Sequence, residues 1–253
     1  GKCPACGEWN TMVEETVATG KRQNQSANVP GKSQKPMPLS EIDSSKESRI
    51  SLNNNEFDRI LGGGIVEGSL VLIGGEPGIG KSTLSLQIPL MCPELKTLYV
   101  TGEESARQVK LRAARIGGTD SNCLIYSETL MENILAEARG IMPDLMIVDS
   151  VQTMFSQNVE SSPGSISQIK ETAAQLLRFA KETGVPVILI GHITKEGSIA
   201  GPKILEHIVD VVLQFEGDNR GTYRLLRSIK NRFGSTSELA VFEMTGKGLR
   251  EVS

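Results

Sequence analysis

Aromatic side chains are scarce: one Trp, three Tyr and six Phe make up 4% of the 253 residues. So few rings argue against a protein that reads nucleic acid by stacking bases on an aromatic platform. An excess of either charge is also lacking. Lys and Arg total 27 against 30 Asp and Glu, for a net charge of −3, so any polyanion contact must come from a local patch. Cysteine occurs only at positions 3, 6, 92 and 123, which is not the pattern of a secreted disulfide framework. No run of about 18 apolar residues is present, so no membrane span is expected. The start, Gly1-Lys2-Cys3, has neither a methionine nor an apolar signal segment and reads as a cut end.

What is present is a glycine-rich loop between an apolar run and an amphipathic stretch. Leu70-Val71-Leu72-Ile73 leads into Gly74-Gly75-Glu76-Pro77-Gly78-Ile79-Gly80-Lys81-Ser82-Thr83, and Leu84, Leu86 and Ile88 follow. Gly75 to Ser82 fits G-x-x-x-x-G-K-[ST] in the strand–loop–helix setting that gives the pattern meaning. Such a loop wraps a polyphosphate in backbone N–H groups, and the helix that follows adds its positive end. The candidate nucleotide contacts are therefore Gly75, Glu76, Pro77, Gly78, Ile79, Gly80, Lys81, Ser82 and Thr83. Lys81 would reach the β- and γ-phosphates of ATP, and the Ser82 hydroxyl would ligate Mg2+. A cytoplasmic location is the default for an ATP user with this cysteine content.

The chain divides by composition. Residues 1–10 hold Cys3-Pro-Ala-Cys6-Gly, a knuckle that supplies two of the four thiolates a structural Zn2+ needs. It reads as a half site, with bound metal and free thiols both open. Residues 11–48 are polar and proline-containing, as linkers are. From 49 to 253, strands and helices alternate. Strands are expected at 70–73, 97–101, 123–126, 145–148 and 187–190. Helices are expected over 57–61, after Ser105 with a Gln108 capping box, after Thr129 with Glu132, and after Ser165 with Gln168. Pro89 and Pro93 lead us to expect a short or kinked helix after the loop. Cys92 and Cys123 read as buried apolar residues. Strands at 209–215, 223–229 and 239–244 with short connections suggest an antiparallel extension. The expected class is α/β, a mostly parallel sheet flanked by helices.

Several polar residues sit at strand ends, where an open parallel sheet binds ligands. Asp149 follows Leu145-Met146-Ile147-Val148 and is the candidate Mg2+ carboxylate; a turn-capping aspartate is the plainer alternative. Glu103 and Glu104 follow the strand at 97–101, expected beside the loop strand. Glu103 is the candidate base for the attacking water, and Glu104 reads as charge near a helix N-terminus. His192 could sense the γ-phosphate or be satisfied by nearby backbone. Two loops, 156–165 and 194–203, carry small polar residues and Lys195, Ser198 and Lys203, which suit a phosphodiester backbone or plain solvent. Lys230 and Arg232 lie in Lys-Asn-Arg-Phe-Gly (230–234); a basic run is usually a solvated face, while in an oligomeric ATPase it could present cations to a neighbour's γ-phosphate.

Five segments together resemble one family closely: Gly75–Thr83, Tyr-Val-Thr-Gly-Glu-Glu-Ser (99–105), Val-Asp-Ser-Val-Gln-Thr (148–153), Gly-His-Ile-Thr-Lys-Glu-Gly (191–197) and Lys-Asn-Arg-Phe-Gly. The chain is similar to the RadA (Sms) family of bacterial RecA-like branch-migration ATPases over residues 49–253. The resemblance implies a RecA-like P-loop ATPase core in a hexameric ring. It also implies a DNA helicase acting on single-stranded and branched DNA, with a recombinase filament as a further partner. Loops 156–166 and 193–203 match DNA-binding loops, Glu103 the catalytic glutamate, and Lys230 and Arg232 residues that act across subunits. Against that family's pattern, the first zinc Cys pair and the C-terminal Lon-protease-like domain are absent. Two other readings stay open: a RecA-like ATPase that acts as a switch without DNA, and a filament protein that binds DNA without hydrolysis.

Overall fold

The computed structural model describes residues 38–41, 48–118, 120–192, 202–218 and 221–252. The chain divides at Glu41 into two units. Of the first, the described part is one 3-10 turn, Leu39–Glu41, closed by the Glu41 amide donating to the Pro38 carbonyl at 3.0 Å.

The second unit holds the expected alternation. In order come β1 (Arg49–Ile50), α1 (Asn55–Leu61), β2 (Ile65–Val66), β3 (Leu70–Gly75) and α2 (Lys81–Met91). Then follow β4 (Thr97–Thr101), α3 (Ala106–Ile116), β5 (Cys123–Ser127), α4 (Met131–Ile141), β6 (Leu145–Asp149), α5 (Ile166–Thr183) and β7 (Val187–His192). The chain closes with α6 (Pro202–Leu205), β8 (Val211–Gly217), β9 (Tyr223–Asn231), β10 (Leu239–Thr245) and β11 (Gly248–Glu251). Nine strands form one sheet in the order β11-β10-β9-β8-β3-β7-β6-β4-β5. From β8 through β5 neighbouring strands are parallel, and β9, β10 and β11 extend the sheet antiparallel. The α/β class with an antiparallel extension is as expected.

Side chains alternate between two cores, as strand geometry requires. Val71, Ile73, Tyr99 and Ile147 pack under α1, α2 and α3. Leu70, Leu72, Val100 and Val148 pack under α4, α5 and α6 on the other face. Being covered on both sides explains why β3, β6 and most of β7 read as unbroken apolar runs.

Local chemistry explains the helix ends. Asn54 accepts from the Phe57 amide at 2.8 Å, and Ser105 and Gln108 form the expected reciprocal capping box. At α5, Ser165 caps as expected, but the Gln168 side chain turns instead to the carbonyls of Ser156, Val159 and Ser161.

Four expectations are corrected. α4 is not capped by Thr129 with Glu132. Glu128 accepts from the amides of Thr129 and Leu130 at 2.7 and 3.0 Å, while Glu132 is drawn away to the Ser156 hydroxyl at 2.5 Å. α2 is not shortened: it runs eleven residues through Pro89, like α3 and α4, and Pro93 lies beyond its end. The proline removes one helical donor, yet tight burial of Leu84, Leu86, Ile88 and Pro89 holds the helix. Cys92 is buried, but Cys123 is only half-buried because β5 is an edge strand. Finally, β4 does not adjoin the loop strand β3; β7 and β6 stand between them.

Candidate nucleotide site

The site forms where four parallel strands end on one edge. β3 ends in the loop, β7 in His192, β6 in Asp149 and β4 just before Glu103. Gly75 and His192 are register partners, as are Thr101 and Asp149.

The loop itself is shaped for a polyanion. Gly78 (φ +76°) and Gly80 (φ +117°) sit in the left-handed region. At Gly80 that backbone conformation is what calls for glycine, since the nearest atom to an added Cβ is the movable Met244 methyl at 2.9 Å. Unlike α1, α3 and α5, helix α2 has no side-chain cap, which leaves its first amides for an anion. Lys81 is 3% exposed, and its ammonium donates to the carbonyls of Gly75 and Glu76, each at 2.8 Å. Burial pushes its pKa down to about 8, against the charges of Asp149 and Glu103, which pull it up.

Behind the loop the two strand-end glutamates separate. Glu103 is exposed, and its Oε1 accepts from the buried Ser150 hydroxyl at 2.6 Å. His192 Nε2 lies 3.1 Å from the same oxygen. An ionised carboxylate only accepts, so this bond makes Nε2 the protonated nitrogen. Burial raises the Glu103 pKa, but the bonds from Ser150 and His192 and the Lys81 charge outweigh it, and the net shift is downward. Glu104 lies directly before the α3 N-cap Ser105 and pairs with Arg112 of the same helix at 2.6 Å. Asp149 is 5% exposed, and the Tyr99 hydroxyl donates to its Oδ2 at 2.7 Å. His192 also offers its carbonyl to Gln152 Nε2 at 3.2 Å.

Ser150, Tyr99, Arg112 and Gln152 were not singled out from sequence. Ser150 had a signal, being the hydroxyl next to the strand-end aspartate. Tyr99 had one too, as a lone polar tip inside the apolar run Leu98-Tyr99-Val100.

The residues present fit Mg2+. Asp149 closes β6 and Ser82 follows Lys81 in the first turn of α2, so both hard oxygen donors lie on the strand-end edge that carries the phosphate loop. Among the described residues no group of three or more His, Cys, Asp or Glu is placed to hold a metal by itself. Cys3 and Cys6 lie outside the described residues, as do Lys195 and Ser198. Lys203 falls in α6, with its side chain outside the description.

Lys230 and Arg232 are not brought to this site. Lys230 pairs in register with Val212, near the start of β8. The Arg232 amide donates to the Asp210 carbonyl, and the Asp210 amide to that of Leu70, the first residue of β3. Gly75 is five strand steps on from Leu70, or about 17 Å. There the Lys230 ammonium donates to the carbonyls of Glu206 and, at 2.8 Å, Val209. Arg232 pairs with the buried Asp210 at 3.3 Å, and Lys181 does so at 3.1 Å.

This sheet order, with a glycine loop at one strand end and an acidic residue two strands over, defines a RecA-like P-loop ATPase fold. Two solved structures share it. A KaiC-like protein from Pyrococcus horikoshii OT3 superposes with TM-score 0.66 at 23% identity, over 81% of this chain and 99% of that one. The RadB recombinase does so with TM-score 0.61 at 21% identity, over 80% and 99%. The chain belongs to the family described as AAA domain, whose model matches residues 38–198. Along its whole length it is similar to curated proteins named DNA repair protein RadA, which bears out the resemblance carried by the five segments. Identity is 50% over 256 residues to that of Bacillus subtilis (strain 168) and 47% over 254 residues to that of Pseudomonas aeruginosa. The chain spans 56% of the length of each. No described helix is long and apolar enough to cross a membrane.

Proposed function

We propose that the chain is the Mg2+-dependent ATP-hydrolysing core of a DNA motor that serves repair and recombination. The observation that carries the hydrolytic part is the Glu103 carboxylate held by Ser150 and His192 at the mouth of the phosphate loop. With Oε1 taken by two donors, Oε2 is left to orient the attacking water. A carboxylate held below its usual pKa is a weak base, which suits orienting the water more than removing its proton early. Lys81 leaves the Gly75 and Glu76 carbonyls for the β- and γ-phosphate oxygens. Ser82 and Asp149 would hold Mg2+, which supplies charge neutralisation on those oxygens when bound. His192, bonded to Glu103 on one side and to Gln152 on the other, joins the γ-phosphate region to the starts of both candidate DNA loops.

The DNA part rests on similarity to proteins named for DNA repair, together with the Lys-Asn-Arg-Phe-Gly segment. Loops 156–166 and 193–203, with Lys195, Ser198 and Lys203, would take single-stranded or branched DNA. Helicase and branch-migration activity would follow from coupling those loops to ATP. The placement of Lys230 and Arg232 at the far end of the sheet supports an assembly in which they complete a neighbour's site, such as a hexameric ring. A recombinase filament as partner, a cytoplasmic location and Zn2+ at Cys3 and Cys6 belong to the same reading.

The test is ATP turnover by the chain with and without single-stranded DNA. Stimulation by DNA is the expected result. Turnover indifferent to DNA would favour a switch, and DNA binding without turnover a filament protein.

A further inference from the structure

Tyr99 lies in the face of the sheet under α2 and α3 and is fully buried. Packing alone calls for phenylalanine there, because a buried phenol hydroxyl must find a partner. Its partner is the candidate Mg2+ carboxylate. Tyr99 and Ile147 are register partners, so Asp149, two residues on, presents its side chain to the same face, where the 2.7 Å bond to Oδ2 forms. Arg112 Nη2 in turn lies 3.4 Å from the Tyr99 hydroxyl as donor and pairs with Glu104 at 2.6 Å. A continuous polar line, Glu104–Arg112–Tyr99–Asp149, thus runs through an otherwise apolar core into the site.

Resting on the reading of Asp149 as the Mg2+-shell carboxylate, we infer that Tyr99, backed by Arg112 and Glu104, is a positioning residue for Asp149. By fixing Oδ2 it sets the rotation of the carboxylate and turns Oδ1 toward the cation. Outer partners of this kind orient a metal ligand without touching the metal. The line also separates the two adjacent glutamates by function: Glu103 faces the water, and Glu104 anchors the support for the metal carboxylate.

The experiment titrates a fluorescent ATP analogue with Mg2+ against the wild-type chain, Asp149→Asn and Tyr99→Phe. Wild-type binding should be strengthened by Mg2+, and Asp149→Asn should weaken that response. If either fails, the reading of the site falls and this inference with it. With both in place, half-saturating Mg2+ should rise about tenfold or more in Tyr99→Phe, while binding in EDTA stays within about twofold of wild type. A wild-type Mg2+ response in Tyr99→Phe overturns the inference, whatever happens to its melting temperature, because the hydroxyl would then merely satisfy itself. Should Tyr99→Phe not fold, Arg112→Lys carries the test, since it keeps the charge opposite Glu104 but loses the planar fork. A rise of about threefold is then expected, and no change overturns the inference.

Discussion

His192 Nε2 and Glu103 Oε1 stand 3.1 Å apart at the ends of β7 and the β4 extension, two strands that do not touch. The pair spans β6, whose next residue, Ser150, donates to the same oxygen. Three strand ends therefore converge on one carboxylate beside the phosphate loop. The arrangement makes the ionisation state of Glu103 depend on His192.

His192→Ala should remove one of the bonds that hold the Glu103 pKa down. The group then titrates closer to its ordinary value, so the acid limb of kcat moves to higher pH. Because the folded pKa is depressed, the stability linked to Glu103 is present above its unfolded pKa and is lost as pH falls through the folded one. A pH–rate profile checks the first point: an unmoved acid limb, with turnover at neutral pH reduced, would show His192 acting elsewhere.

ATP binding should take up protons just above pH 8. Burial holds Lys81 at about 8, so part of the population is neutral there, and phosphate oxygens favour the ammonium. Calorimetric titration at about pH 8.5 in two buffers of different ionisation enthalpy reads the uptake directly. The same shift means the folded chain binds fewer protons than the unfolded one between about 8 and 10.5, so the cost this group adds to folding is fully present below about 8 and is relieved as pH rises through that window. Identical heats in the two buffers would contradict the assignment.

At the other end of the sheet, stability and trans action should separate by residue. Asp210 is buried and receives the Leu70 amide, Lys181 and Arg232. Asp210→Ala should therefore cost about 3 kcal/mol in a denaturant titration. Arg232 is half exposed, and Arg232→Ala should cost less than about 1 kcal/mol. Lys230→Ala and Arg232→Ala should nevertheless lose turnover while keeping nucleotide binding. Loss of binding alone would place these cations outside a shared site.

The local grammar of the site was legible in the chain, while its cross-strand wiring was not. Gly75 to Ser82, Asp149 and Glu103 each announce themselves through neighbours a few residues away: a glycine spacing, an apolar run before a carboxylate, a strand end before a capped helix. Strand order depends on how the crossovers fall, and so β4 was expected beside β3 when two strands intervene. The bonds from Ser150 and Tyr99 follow from register, which no segment carries by itself. The α4 cap illustrates competition. Glu132 had the right spacing after Thr129, but the Ser156 hydroxyl, brought in by the fold, took its carboxylate, and α4 starts with no side-chain cap.

Glu103 is the proposed water-orienting carboxylate, and its role is read by steady-state ATP turnover of Glu103→Gln beside wild type, with binding of a fluorescent ATP analogue measured on both. Turnover should fall about a hundredfold or more with analogue binding unchanged, since the amide keeps the shape but gives up the charge. Turnover retained by Glu103→Gln would contradict the account.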